Sequence, residues 1–208
     1  NPEMVYVKYK DLKTEKVYIL METRLCEMYP GIKKGKKYKG GEFEVVQKYK
    51  GSELKGLAYT PLFDYFGDRA GNGSFVVCTD AYVDDSSGTG VVHQAPAFGE
   101  DDYRVCMAHG VIEKGEPIPC PLDANGNFTE EVKGFVGQHV KAADEGICAE
   151  LKSRGRLIKK SAIKHSYPFC WRSNTPLIYR VIPSWFIDVT SIKDKYSSSL
   201  DISPQQMK

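Results

Sequence analysis

The chain has 208 residues, 41% hydrophobic and 27% charged, with 29 Lys and Arg against 27 Asp and Glu for a net charge of +2. That is ordinary globular composition, long enough to bury a core without disulfide staples, in one large domain or two small ones sharing a core. So even a balance excludes nucleic-acid binding by bulk charge and leaves only a local patch for it. The longest clean apolar run, Val17 to Met21, is too short to cross a bilayer as a helix.

In chain order, Met4 to Tyr9 and Val17 to Met21 flank a charged connection, which predicts a β-hairpin. Glu22 to Tyr29 predicts a short helix closed by Pro30 and Gly31. The basic, glycine-rich stretch 33–41 reads as a solvated loop, with phosphate contact as its functional alternative. Phe43 to Tyr49 is a strand candidate, followed by turns and a proline-stopped segment to Phe63 and a flexible tip from Gly67 to Gly73. Phe75 to Thr79 and Gly90 to Gln94 predict two more strands. One helix is expected from Gly99 to His109, stopped by Gly110. A second runs from His139 to Ser153, with Val140, Ala143, Ile147 and Leu151 on one face and Gly155 as its stop. Leu157 to Ile163, Leu177 to Ile182 and Trp185 to Val189 suggest late strands, and the polar tail from Ser197 is expected to fray. Many short strands with two inserted helices predict an α+β fold, mainly β: a β-barrel or sandwich with peripheral helices.

Six cysteines, at 26, 78, 106, 120, 148 and 170, form no C-x-x-C pair. With no signal peptide at Asn1 to Met4, this predicts reduced thiols and a cytoplasmic setting. There is no P-loop, no dinucleotide G-x-G-x-x-G, no G-x-S-x-G elbow and no H-E-x-x-H pair. The four histidines, 93, 109, 139 and 165, are scattered, so no metal site is expected.

The densest unusual block runs from Gly88 to Tyr103. Gly88 and Gly90 flank Thr89 and allow the backbone to approach a ligand closely. Val91 and His93 then share one strand face, with Val92 and Gln94 on the other. Pro96 ends that strand, and Gly99 leads into a helix whose first turn carries Glu100, Asp101 and Asp102, where the macrodipole favours ionised carboxylates. A carboxylate held at such a corner suits an ammonium group. The bland alternatives are an acidic helix start with one capping Asp, and a hydrogen-bonded core histidine at 93. Spacing leaves both pairs open.

The block resembles the signature of the editing domain of isoleucyl-tRNA synthetase, a class I enzyme in which this domain is inserted into the catalytic Rossmann fold. Matching residues precede it (Gly51, Leu54, Gly56, Tyr59, Pro61, Leu62, Phe63) and follow it (His165, Tyr167, Pro168, Phe169, Cys170, Trp171, Arg172, Pro176, Leu177). Ile182 to Ile187 resembles the segment leading back toward the catalytic body. His93 and Pro96, Ala97 and Phe98 resemble the isoleucine branch more than the valyl or leucyl sisters, and the 79–87 and 104–106 stretches the eukaryotic cytosolic members.

The resemblance implies an editing domain over 1–196, with 197–208 as tail, that hydrolyses valine wrongly esterified to the isoleucine tRNA. It implies that Asp102 binds the α-ammonium of the valine, that His93 limits side-chain size, and that Gly88, Thr89 and Gly90 lie near the terminal adenosine. Val92 and Tyr167 are implied as further lining. The implied partners are the acceptor end of that tRNA and the parent enzyme's catalytic domain, with no membrane. Water alone serves editing, whereas ATP and magnesium belong to the parent's catalytic domain. The family's threonine-rich pocket wall would lie before Asn1, and the H-I-G-H and K-M-S-K-S signatures are absent. The expectation is therefore a fragment that cannot aminoacylate. A noncatalytic RNA-binding or scaffolding module, resting on 33–41 and Tyr38, is the competing reading; the valyl or leucyl sister domain is another.

Overall fold

The predicted hairpin forms the centre of the fold. In the computed structural model, which describes residues 1–34, 41–162, 166–190 and 193, β1 (Val5–Asp11) pairs antiparallel with β2 (Val17–Met21). The Asp11 carboxylate closes the turn by accepting from the Lys13 and Thr14 backbone N–H groups and the Thr14 hydroxyl. The third strand, β3 (Phe43–Lys50), lies antiparallel on the other edge of β1, giving the order β2-β1-β3. A bulge between Lys8 and Tyr9 shifts its register, so Lys8 faces Gln47 while Tyr9 faces Val45. The leftover Val46 is exposed, as bulged residues leave the ladder.

Strand alternation puts apolar groups on both faces. Val7, Tyr9 and Leu20 pack with Phe43 and with Leu25 and Tyr29 beneath the sheet. Here the Tyr29 and Phe43 rings stack with centroids 4.6 Å apart, and Tyr9 meets both edge-on. On the opposite face Tyr6, Met21 and Leu54 form a second cluster, covered by Val77 and Val83. Each of these fully buried side chains contributes roughly 1.5–3 kcal/mol, so three strands suffice only because both faces are covered.

The first helix is shorter than its pattern suggests: a 3₁₀ turn, Glu22–Arg24, runs into α1 (Leu25–Met28). The other two form where periodicity and stops place them. α2 spans Glu100–Ala108, ahead of Gly110, and α3 spans Val140–Ser153, ahead of Gly155. The His139 ring caps α3 by accepting from the Lys141 N–H at 3.3 Å, and Ala143 on the predicted face is fully buried.

The barrel does not form among the described residues; the sheet is open, and the fold is mixed α and β. Residues 75–79 contribute a single bridge, Val76 to Ala58. Residues 90–94 form no ladder: Gly88 and Gly90 hold positive φ, and Pro96 has no N–H to give. The late strand candidates form no ladder where described; the bridge nearest to them, Phe169 to Pro176, lies just before the second. Apolar alternation there has no sheet to face: Trp185 and Phe186 stay almost wholly exposed. Ile163, His165, most of the basic loop with Tyr38, and the tail 197–208 lie outside the described residues.

Candidate functional site

The Gly88–Gly90 loop is fastened to the end of the sheet by its carbonyl oxygens. Met21, the last residue of β2, donates its N–H to Thr89 O at 2.9 Å. The Tyr6 hydroxyl, buried, donates to Gly90 O at 2.9 Å. Arg24, only 6% exposed, donates from Nε to Gly88 O at 2.8 Å and from Nη1 to Asp85 O and Ser86 O at 3.1 and 3.3 Å. Its Nη2 pairs with the Glu27 carboxylate three residues on, so the buried charge is compensated as it must be. Lys34, at the root of the basic stretch, donates to Asp85 O at 2.7 Å.

Gly90 sits at φ +73°, and a Cβ there would stand 2.4 Å from the Met21 Cβ. Both its conformation and its neighbour therefore demand glycine. The Thr89 hydroxyl turns to Val91 O at 3.3 Å. Beyond the loop, Val91, Val92 and His93 are all exposed. His93 has no hydrogen-bond partner among the described residues, which removes the hydrogen-bonded-core alternative for it. Gln94 instead turns inward and donates to the Tyr82 hydroxyl.

Asp102 stands in the first turn of α2 and reaches back out of the helix. Its Oδ1 accepts the Ala95 N–H at 2.7 Å, tying the preceding segment to the helix start. The N-cap is Gly99, without a side-chain cap, so Asp102 does not cap its own helix. Its Oδ2 lies 2.2 Å from where a Gly99 Cβ would be. Gly99 is extended, and any residue could adopt that backbone; it is the carboxylate that excludes a side chain. Among the described residues no donor reaches Oδ2. The carboxylate is thus half claimed by structure and half open.

A second brace holds α2. Arg104 grips Asp80 through two hydrogen bonds, 2.8 and 3.0 Å, and also reaches Asp101 at 2.9 Å. Hydrogen bonds from Arg104 and from the Tyr82 N–H hold the Asp80 carboxyl down at about 2. Cys106, the thiol of this helix, is buried and pushed up to about 11 by desolvation, which disfavours the thiolate and a nucleophilic role. The six cysteines are unpaired.

Tyr167 is fixed from another direction. Its hydroxyl donates to Leu177 O at 2.8 Å, and the Lys141 ammonium of α3 lies 5.0 Å over its ring. The 177–181 segment then touches the block where Val181 N–H donates to the buried Ala97 carbonyl at 2.9 Å. The structure therefore joins Gly88, Thr89, Gly90, Val92, His93 and Asp102 along one anchored segment. Tyr167 connects to it through that late segment. A separate open groove of about 610 Å³, lined by residues such as Asp64, Arg69, Cys120 and Lys133, does not include these residues.

Sequence reasoning missed the anchors, Tyr6 and Arg24. The one available signal was an arginine among apolar neighbours just after a strand, which reads equally well as a solvated helix residue.

No family-level sequence pattern matches the chain. Individual relatives do. The cytoplasmic isoleucine–tRNA ligase of Mus musculus is 49% identical over 202 residues, covering 97% of this chain and 15% of its own length. The Arabidopsis thaliana cytoplasmic enzyme is 46% identical, covering 96% of this chain and 18% of its own length. That of Saccharomyces cerevisiae is 44% identical, covering 92% and 17%. The chain spans roughly a sixth of the length of these curated relatives.

Proposed function

We propose that this chain, which belongs to the isoleucine–tRNA ligase family as a segment alike over nearly its whole length, is the part that proofreads. Its reaction is hydrolysis of valine from wrongly charged isoleucine tRNA. Water adds to the ester carbonyl, and collapse of the adduct releases valine and the ribose hydroxyl.

The observation that carries this reading is the Asp102 carboxylate, with one oxygen anchored by the Ala95 N–H at the positive end of α2. A carboxylate so placed is held in one orientation, which suits the α-ammonium of an aminoacyl ester. His93, exposed on the same segment, meets the side chain, and Val92 and Tyr167 add apolar lining. The Gly88–Gly90 loop receives the terminal adenosine. Isoleucine exceeds valine by one methylene, worth only about 1–3 kcal/mol in an apolar pocket, a general figure for which this very pair of amino acids is the usual illustration. A first binding step selects poorly, and a second pocket that excludes the larger side chain by steric clash corrects it. The ester is already activated, so holding both ends of the substrate supplies most of what hydrolysis needs. No side-chain nucleophile is invoked. ATP and magnesium serve aminoacylation in the longer enzyme, whose catalytic domain and tRNA are the partners, in the cytoplasm.

The test is release of valine from valyl-tRNA(Ile) by the chain joined to the family's upstream threonine-rich segment, and by the Asp102→Ala variant of the same protein. The account expects release by the first and its loss in the second, with the fold retained; equal release refutes the role of Asp102. Salt-sensitive RNA binding without any deacylation would favour the noncatalytic module instead. Release of threonine from the valine tRNA, or of a residue other than leucine from the leucine tRNA, with valyl-tRNA(Ile) untouched, would favour the sister enzymes.

A further inference from the structure

Five carbonyls in the 85–90 stretch point at the protein. Those of Asp85, Ser86 and Gly88 meet Arg24, that of Thr89 meets Met21, and that of Gly90 meets Tyr6. Among the described residues there are no cis peptide bonds. In a trans peptide the C=O of one residue and the N–H of the next point in opposite directions. Anchoring those five oxygens therefore turns the N–H groups of residues 86, 87, 89, 90 and 91 away from the sheet. Ser86 N–H is taken by the Asp84 carboxylate at 2.9 Å. Those of Ser87, Thr89, Gly90 and Val91 have no acceptor among the described residues. The loop is inside out: acceptors inward, donors outward.

We infer that Arg24 is a positioning residue of this loop: by drawing the Asp85, Ser86 and Gly88 carbonyls inward it turns the Thr89 N–H outward and, together with the Met21 and Tyr6 bonds to the next two carbonyls, completes a row of donors at Thr89, Gly90 and Val91 for the oxygen-rich nucleotide end of the substrate. The inference rests on the proposed proofreading function and adds a residue to it. Arginine suits the task and lysine does not. The planar fork reaches three carbonyls and a carboxylate at once, whereas an ammonium is a single point with three donors. Glu27 aligns the fork by pairing with Nη2, and Lys159 donates in turn to the Glu27 carbonyl at 2.6 Å. A role confined to stability would make Arg24 variants melt earlier yet bind normally while folded. A positioning role changes what the folded protein binds.

The experiment uses the full 208-residue chain, its amide resonances, and a nonhydrolysable valyl-adenosine analogue. In the wild type the analogue shifts the Thr89, Gly90 and Val91 amides and slows their exchange. In Arg24→Lys, well below its melting temperature, exchange of the Met21 amide accelerates and the analogue binds about tenfold more weakly, the loss expected when one or two hydrogen bonds fall out of register. Arg24→Met does the same or more; if it fails to fold, Arg24→Lys and Glu27→Gln carry the test. Binding that leaves the three amides unshifted, or unchanged affinity in folded Arg24→Lys, overturns the inference and leaves the proofreading reading standing. No binding of the analogue by the wild type overturns that reading, and the inference with it.

Discussion

Replacing Gly90 by alanine should destabilise the chain far more than the same change two residues earlier. Both positions lie in the left-handed region, Gly88 at φ +60° and Gly90 at φ +73°, where an L-residue costs about 1–2 kcal/mol. They differ in what a methyl group would meet. At Gly88 nothing lies within 4 Å. At Gly90 the new Cβ would stand 2.4 Å from Met21 Cβ and 2.8 Å from its Cε. The Cε can swing aside by a rotamer change, but the Cβ is fixed to β2, whose Met21 pairs with Tyr6. Relief needs a backbone shift in the sheet or in the loop, and such overpacking typically costs about 1–3 kcal/mol more. The expected losses are about 1–2 kcal/mol for Gly88→Ala and about 2–5 kcal/mol for Gly90→Ala. Against a domain stability of about 5–15 kcal/mol the second is severe. Urea titration of the two variants, with equal slopes confirming a common unfolded state, measures the difference. Losses that agree within about 0.5 kcal/mol would refute the close approach of the loop to β2.

Three further outcomes are expected. Asp80, held by Arg104 near 2 instead of its ordinary 3.8, stabilises the fold fully above about pH 4 and loses that contribution as the pH falls toward 2; Asp80→Asn should flatten that acid limb in a stability–pH series, and parallel curves would contradict the assignment. His93→Ala should open the specificity filter, so that correctly charged isoleucyl-tRNA is deacylated; continued protection of isoleucine would show that size is not sensed there. Tyr29→Phe removes the hydroxyl that donates to the Asp11 carboxylate at 2.7 Å and should lower the melting temperature; an unchanged melting temperature would show that water replaces it.

The helices and the hairpin were legible because their signals are local. The α3 stripe through Ala143, its stop at Gly155, and the start of α2 after Gly99 are all written within a few residues of where they act. The barrel was misjudged for the opposite reason. Triplets such as Val76 to Cys78 and Val91 to His93 carry strand-like residues, but a strand needs a neighbour, and periodicity does not say whether one exists. Around 88–90 the left-handed glycines turn the chain and the anchors take the carbonyls a ladder would need. The Asp102 corner was readable as a carboxylate in a first helical turn, but its bond to Ala95 was not, since nothing in the spacing tells which way a side chain reaches. Arg24 and Tyr6 meet the loop more than sixty residues away, beyond the reach of any local pattern.

The central claim is that the open oxygen of Asp102 meets the amino group of a valyl ester. A structure of the chain with the nonhydrolysable valyl-adenosine analogue tests it directly. The account predicts the analogue's ammonium within about 3 Å of Asp102 Oδ2, with Oδ1 still on the Ala95 N–H and the valine side chain toward His93. An analogue bound with its ammonium on another group, or an Asp102 with both oxygens taken up by the protein, would contradict it.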